Sequence, residues 1–363
     1  MQRIQSVDIL RGLTILAMIL VNNPGDWGHV FVPLLHAEWH GLTPTDLIFP
    51  FFIFIVGVSI ALAYQHKTPS KAIYKKTLIR SVKLIALGLF LNWFIPYFPF
   101  LESYKTVRLP GVLQRIGIVF FITSLLYLNC NNKTLLHISF WGLVSYFILL
   151  AYIPLPNGEL PSLERVPNNW ANYVDVQLLG NHLWKPDYDP EGLLSTIPVV
   201  ISCIIGVLIG KVLLLKNTNT KLKYLLASGS AALLIGYVWN IFFPINKAIW
   251  SSSFVLVTAG WAILLLLIFY YIADVQQKTF GKLCIYVGTN AITIYFLSSL
   301  IAKVFYLVKV NEQQNIHSFL YEHLYTSIIS HHKLASLLYA FTVMLCYILL
   351  GFILFKRRIF IKV

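Results

Sequence analysis

The segment from Val21 to Pro50 reads VNNPGDWGHVFVPLLHAEWHGLTPTDLIFP, and the rest of the chain is organised around it. It connects two long apolar runs, yet it concentrates amide, acidic and imidazole side chains: Asn22, Asn23, Asp26, His29, His36, Glu38, His40 and Asp46. Titratable groups beside the end of a membrane helix are costly to bury and are usually functional. The residues alone leave two interpretations, a reactive site between two helix ends and a solvated loop whose histidines cap helices.

The composition indicates that most of the chain is surrounded by lipid rather than water. Hydrophobic residues make up 58% of the 363-residue chain and charged residues only 12%, and the mean hydropathy is +0.73. Apolar runs of about 20 residues match the length that a helix needs to cross a bilayer. The sequence therefore predicts an all-α, polytopic membrane protein, a single transmembrane domain over residues 1–363. About ten spans are expected, near 6–22, 46–64, 79–95, 111–129, 135–153, 193–215, 224–243, 252–273, 283–305 and 334–355.

The distribution of basic residues predicts the orientation. Most lysines and arginines fall in the connections on one side, such as HKTPSKAIYKKTLIR and the tail KRRIFIK, so both termini are expected in the cytoplasm. The first apolar run lacks a small-residue cleavage site and is predicted to be a retained helix, with Asp8 and Arg11 paired on one face. The net charge of +14 then reflects this asymmetry and attraction to membrane lipid, and no nucleic acid partner is expected.

The longest polar connection, residues 154–192, falls on the opposite, non-cytoplasmic side. It is rich in Pro, Asn and Gly and is predicted to be a folded cover over the bundle. With Trp39, its acidic residues Asp187, Asp189 and Glu191 are candidates for binding a cationic or amine-bearing substrate. The alternative is a loop whose charges only keep it soluble.

Cations within predicted spans form a second candidate set. Lys76, Arg80 and Lys83 make a basic stripe that enters the third span, and Arg115 lies one turn inside the fourth. Such groups either line a route for an anionic ligand or extend to the nearest interface. The second interpretation is favoured for Lys76 and Arg80, and the first for Arg115.

Cysteine and histidine spacing gives no reason to expect a metal. The four cysteines lie in or at the ends of predicted spans and have no CxxC spacing, so neither a disulfide framework nor a zinc site is predicted. His331 and His332 form a doublet without a further ligand at metal spacing. No metal site is assigned, and metal binding remains only an alternative that the spacing does not favour.

Several stretches together carry a family resemblance. SVDILRGLTILAMILVNNPG and LLHAEWHGLTPTDLIFPFFIFIVGVSI resemble the catalytic domain of the heparan-α-glucosaminide N-acetyltransferase family. The pattern continues in RLPGVLQRIG (108–117), DYDPEGLLSTIP (187–198) and NKAIWSSSFVL (246–256). The resemblance covers nearly the whole chain in order, except for weaker matches in 154–186 and at the C-terminus.

The resemblance implies transfer of acetyl from cytosolic acetyl-CoA, as co-substrate, to a glucosamine-type amine across the membrane. It assigns the active-site histidine to His36, an asparagine to Asn22 and an aspartate to Asp46. His36 is then a general base or an acyl carrier, Asp46 or Glu38 orients its ring, and Asn22 stabilises the oxyanion. Charge placement adds Lys76, Arg80, Lys83 and Arg115 as CoA contacts. The short N-terminus indicates a bacterial inner-membrane protein, which is a potential homodimer, with a cell-envelope glycan as acceptor.

Two other classes remain alternatives. A membrane O-acyltransferase would share the topology and the histidine but would accept a hydroxyl group. A secondary transporter or flippase of envelope glycans would use the intramembrane charges to line a path, and it predicts inverted repeats with paired broken helices.

Overall fold

The computed structural model describes residues 4–361, and within that range the regular structure is helical, with no β-strand. The all-α prediction is confirmed. The α-helices of the described range are α1 Gln5–Asn22, α2 Ile48–Tyr64, α3 Lys71–Trp93, α4 Val112–Asn129, α5 Asn132–Tyr152, α6 Trp170–Leu179, α7 Thr196–Leu213, α8 Thr218–Trp239, α9 Ser252–Phe269, α10 Lys282–Gly288, α11 Ala291–Leu307, α12 Ile316–Tyr321 and α13 His332–Lys356.

Most of the long helices are long and apolar enough to cross a membrane. Within residues 4–361, eight helices meet this requirement: α1, α2 with its preceding turn, α4, α5, α7, α8, α9 with its following turn, and α13. The pair α10 and α11 adds a ninth if both belong to one span. The polytopic prediction is confirmed. The predicted third span, 79–95, lies in the 23-residue helix α3, whose Lys76, Arg80 and Lys83 make it too charged to count by composition.

The sequence predicted one continuous helix over 283–305, and that prediction is wrong because the helix is broken. The chain bends by 80° between α10 and α11. Asn290 lies at the bend, where its side-chain amide donates to the Ile359 carbonyl at 2.9 Å and its oxygen accepts from Ile361 N at 2.9 Å. The C-terminal tail therefore occupies the polar groups at the break. A window of hydropathy averages across such a bend and cannot reveal it.

Close backbone contact between glycines holds the centre of the bundle together. A Cβ atom at Gly57 of α2 would lie 2.0 Å from the Cys203 carbonyl oxygen of α7, and one at Gly206 would lie 2.1 Å from that of Phe54. Small residues allow this approach where lipid offers no hydrophobic driving force between helices. This contact fixes α2, and with it the turn that precedes α2.

Alternating helix directions bring one set of connections together, which we call the His36 face: residues 23–47, 94–111, 153–195, 240–251 and 308–331. Hydrogen bonds join several of them, such as Gly41 N to Ile245 O at 2.8 Å and Leu109 N to His182 O at 3.0 Å. The connections 65–70, 130–131, 214–217 and 276–281 lie at the other helix ends, on what we call the opposite face.

The segment predicted as a cover contains a helix that its composition did not reveal. Asn169 caps α6 by accepting from Ala171 N at 3.0 Å and Asn172 N at 3.4 Å, a contact that satisfies otherwise free amides of the first turn. Trp170 donates from its indole to Ile153 O at 2.7 Å. The cap and the indole contact fix where α6 begins relative to the end of α5.

Candidate active site

A histidine and a buried aspartate form the centre of the site. His36 Nδ1 lies 2.7 Å from Asp46 Oδ1; the imidazole is half exposed and the carboxylate is buried. Asp46 Oδ2 accepts from Ala37 N at 3.1 Å and Thr43 N at 3.0 Å. An aspartate that accepts this many donors is stabilised in its ionised form. It therefore favours a proton on Nδ1 of the ring, which makes Nε2 the basic nitrogen.

Local sequence explains this arrangement. Pro44 begins a short 3-10 turn, Pro44–Leu47, which runs directly into α2. Asp46 lies in this turn, where free backbone amides favour a negative charge. Because its Oδ2 receives the amides of Ala37 and Thr43, the same carboxylate also closes the loop that carries His36.

A lysine that sequence reasoning did not single out completes the centre. Lys247 Nζ lies 3.0 Å from His36 Nδ1, 3.1 Å from His36 Nε2 and 3.8 Å from Asp46 Oδ1. Burial lowers the pKa of Lys247, while the carboxylates of Asp46 and Glu191 oppose that change. The sequence did offer one signal: Lys247 is a cation in a short connection predicted to be non-cytoplasmic, where basic residues are uncommon.

Trp39 and His40 connect the His36 loop to its surroundings. The Trp39 indole donates to Leu163 O at 2.9 Å, and His40 lies 3.1 Å from Glu164 Oε1 and 3.2 Å from Asn246 Nδ2. These contacts reach both the cover and the connection that carries Lys247. Trp39 therefore holds the cover beside the site, and its role as a substrate contact stays a prediction.

Asn22 and Glu38 lie near His36 in sequence but do not hydrogen-bond to it. Among residues 4–361 the polar partners of the imidazole are Asp46 and Lys247. Asn22 is the last residue of α1 and Glu38 lies in the loop, and both are exposed. Asp46, rather than Glu38, thus orients the ring in this structure.

The acidic residues of the cover are paired with arginines. Arg108 binds Asp189, with Nε 2.8 Å from Oδ2, and also binds Glu191; Arg165 binds Asp187. Burial opposes the Arg108 cation, but its two acidic partners outweigh burial and raise its pKa. Glu191 is buried, which favours its neutral form, yet Arg108 and other cations lower its pKa. These acidic side chains are thus already paired with arginines, and their role as substrate contacts stays a prediction.

Arg115 is buried and directed at the main chain of the cover. It donates to Pro190 O at 2.9 Å, Gly192 O at 2.6 Å and Ser195 Oγ at 2.6 Å. These bonds fix the end of the cover as it enters α7. The geometry gives Arg115 a structural task, and its contact with CoA stays a prediction.

The other predicted CoA contacts lie on a different part of the molecule. Lys76, Arg80 and Lys83 are exposed on α3, and the Arg80 guanidinium lies 4.8 Å from the ring centroid of Phe120. Lys76 is near the start of α3 and therefore on the opposite face, at the other end of the bundle from His36. A donor that touched both would have to extend along the bundle.

Comparison with known proteins identifies the family. A family model described as heparan-alpha-glucosaminide N-acetyltransferase, catalytic, matches residues 3–241. The chain belongs to the heparan-alpha-glucosaminide N-acetyltransferase family. The resemblance seen in the sequence is confirmed. Within the matched range lie His36, Asp46, Arg108 and Arg115.

Curated relatives extend the match to the rest of the chain. The chain is 28% identical to heparan-alpha-glucosaminide N-acetyltransferase of Mus musculus and 29% identical to that of Homo sapiens, each over 422 residues. Each alignment covers 99% of this chain and 60% of the relative. The chain therefore spans 60% of the length of these relatives. The family match ends at residue 241, whereas these alignments continue beyond it and include the region of Lys247.

Asp175 provides a pH-dependent test of the cover. Burial raises the pKa of Asp175 to about 7 from its ordinary 3.8, although Leu193 N donates to it at 2.8 Å. Because the folded pKa is raised, ionisation of Asp175 destabilises the fold above pH 7, and this cost vanishes as the pH falls below about 4. Asp175→Asn should therefore stabilise the protein by roughly 1–3 kcal/mol at pH 8, measured as an increase in Tm in detergent.

The matched control is Asp187→Asn. Asp187 is exposed and its pKa is lowered by the hydrogen bond from Arg165, so this change should not raise Tm at pH 8. The Tm advantage of Asp175→Asn should shrink toward pH 4. An advantage of constant size at both pH values would contradict the assignment of the effect to Asp175 ionisation.

Proposed function

We propose that the chain is a transmembrane acetyltransferase that moves acetyl from acetyl-CoA to the amino group of a glucosamine-type sugar. The observation that carries this proposal is the half-exposed His36 ring, held at 2.7 Å by buried Asp46, in a chain of this acetyltransferase family. An imidazole that is oriented at Nδ1 and half exposed suits acyl transfer to an amine, because its second nitrogen can accept a proton.

His36 acts as the general base in this proposal. The sugar enters with its amine neutral, and its nitrogen attacks the thioester carbonyl carbon. As the new C–N bond forms and the C–S bond breaks, an amine proton passes to His36 Nε2 and from there to the departing thiolate. The products are the N-acetyl sugar and CoA thiol. An acyl-imidazole on His36 is the alternative order of events, in which the thiol leaves before the amine arrives.

Asn22 and Asp46 support this step. Asp46 holds the tautomer and stabilises the imidazolium that forms when His36 accepts the proton. Asn22 is exposed at the end of α1, and we assign its amide to the thioester oxygen as negative charge develops there. Where such donors have been removed from other enzymes, the cost was about 3 kcal/mol of transition-state stabilisation.

The donor reaches His36 from the opposite face. Lysine and arginine bias favours the cytoplasm for that face, and Lys76, Arg80 and Lys83 supply positive charge there for the CoA phosphates. The 18-residue helix α1 spans about 27 Å, so the pantetheine arm must lie extended along the bundle. The acceptor then meets the acetyl group on the His36 face, which in a bacterial inner membrane is periplasmic.

The broken helix does not favour a transporter. Paired broken helices in two related halves are the feature expected of many secondary transporters. Within residues 4–361 the α10–α11 bend is the one break of this kind, and the C-terminal tail occupies its polar groups at Asn290. Neither a second break nor an open polar site at the first supports that alternative.

His36→Gln tests the proposal. Membranes that contain the protein, labelled acetyl-CoA and glucosamine should yield N-acetylglucosamine, and the change should reduce the rate at least about 100-fold, because a general base typically contributes that much. His29→Gln is the matched control, since His29 is 45% exposed, close to the 50% of His36, and is also paired with an aspartate. Equal loss in both variants, or an O-acetyl product, would contradict the proposal.

Asp46→Asn should lower kcat by about 10²–10⁴-fold while the KM for acetyl-CoA changes little. An amide at this position can donate to Nδ1 and so favours the wrong tautomer, an effect of that size in another histidine–aspartate pair. Asp26→Asn, which alters the carboxylate beside His29, should leave kcat within a few fold of the unchanged protein. A decrease of less than tenfold in Asp46→Asn would argue against a tautomer-setting role.

A further inference from the structure

Lys247 is held against His36 by the main chain on either side of it. On one side, Ile245 O accepts from Gly41 N at 2.8 Å, and the Asn246 amide lies 3.2 Å from His40 Nδ1. On the other side, Ile249 N donates to Asn246 Oδ1 at 3.1 Å. The first two contacts tie the connection between α8 and α9 to the His36 loop, and the third braces the connection itself. These hydrogen bonds hold Lys247 beside His36, although 211 residues separate the two in sequence.

The charges around the imidazole oppose one another. His36 is faced by the Asp46 carboxylate, which favours an imidazolium, and by the Lys247 ammonium, which disfavours it. Lys247 is in turn faced by Asp46, Glu191 and Arg115. The ammonium lies almost equally far from both ring nitrogens, at 3.0 and 3.1 Å. Its repulsion therefore acts on a proton at either nitrogen.

We propose that Lys247 is a positioning residue that keeps His36 neutral between turnovers. An aspartate partner alone would increase the fraction of imidazolium at neutral pH, and a protonated ring cannot accept the proton of the attacking amine. The lysine offsets that effect while Asp46 keeps its hydrogen bond to Nδ1. This role rests on the proposed function of His36, but the charge state of the ring can be measured without any acetyl transfer.

The test is chemical modification of His36 across a pH series. Diethyl pyrocarbonate reacts with neutral imidazole, and mass spectrometry of the His36 peptide from the intact protein in detergent gives the rate at that residue alone. Lys247→Met should move the pH midpoint of His36 modification upward by about one unit or more, the usual size of a neighbouring-charge effect. Lys247→Arg, which keeps the cation, should stay close to the unchanged protein.

Two controls are built into the chain. His29 is half exposed and paired with Asp26 at 2.5 Å, and its midpoint should not move in Lys247→Met. Lys105→Met removes an exposed lysine elsewhere on the His36 face and should leave both midpoints unchanged. The elution profile and Tm are measured for both Lys247→Met and Lys247→Arg. A folding defect in the methionine variant is then recognised by comparison with the arginine variant.

The acid limb of kcat/KM gives a second readout. In Lys247→Met it should move in the same direction as the His36 midpoint, because a more basic ring is protonated over a wider pH range. A midpoint that stays in place in Lys247→Met, or that moves equally in Lys247→Arg, would overturn the inference. If His36→Gln were inactive, the proposed function would survive either result; full activity in His36→Gln would overturn both.

Discussion

The buried carboxylate of Asp46 is the interaction on which the site depends. It accepts hydrogen bonds from the His36 ring and from the backbone amides of Ala37 and Thr43. A single side chain therefore closes the loop and sets the tautomer of its histidine. Its position follows from α2, because Asp46 lies in the turn that begins that helix, and α2 is fixed by its glycine contact with α7. The packing of α2 against α7 therefore determines how the His36 imidazole is oriented.

The cover is attached to the bundle by a different kind of contact. Arg115 donates to main-chain oxygens at residues 190 and 192, and Arg108 binds Asp189 and Glu191. A buried cation without such partners would be costly, whereas here the terminal nitrogens of both arginines donate to oxygens of the cover. The cover is thus held in register with α4, and Glu191 remains close enough to influence Lys247.

The sequence predicted the fold class because hydropathy reports burial in lipid without reference to contacts. It also placed His36 and Asp46 in one short loop, where sequence neighbours must be neighbours in space. It could not show the contact of Lys247 with His36 or the pairing of Arg108 with Asp189, since 211 and 81 residues separate these partners. An arginine inside a span indicates a polar surrounding, but composition cannot say whether a ligand or a main-chain segment provides it, as Arg115 shows. The bend at Asn290 was missed because hydropathy averaged over a window does not change where a helix bends.

The central claim is that His36 Nε2 meets the acetyl carbonyl of a donor that enters from the opposite face. A cryo-EM structure of the intact protein with a non-transferable acetyl-CoA analogue tests it most directly. The carbonyl carbon is expected about 3–4 Å from Nε2 or from an amine beside it, with the phosphates on the side of Lys76 and Arg80. An analogue bound with its acyl end away from His36, or with its phosphates on the His36 face, would contradict it.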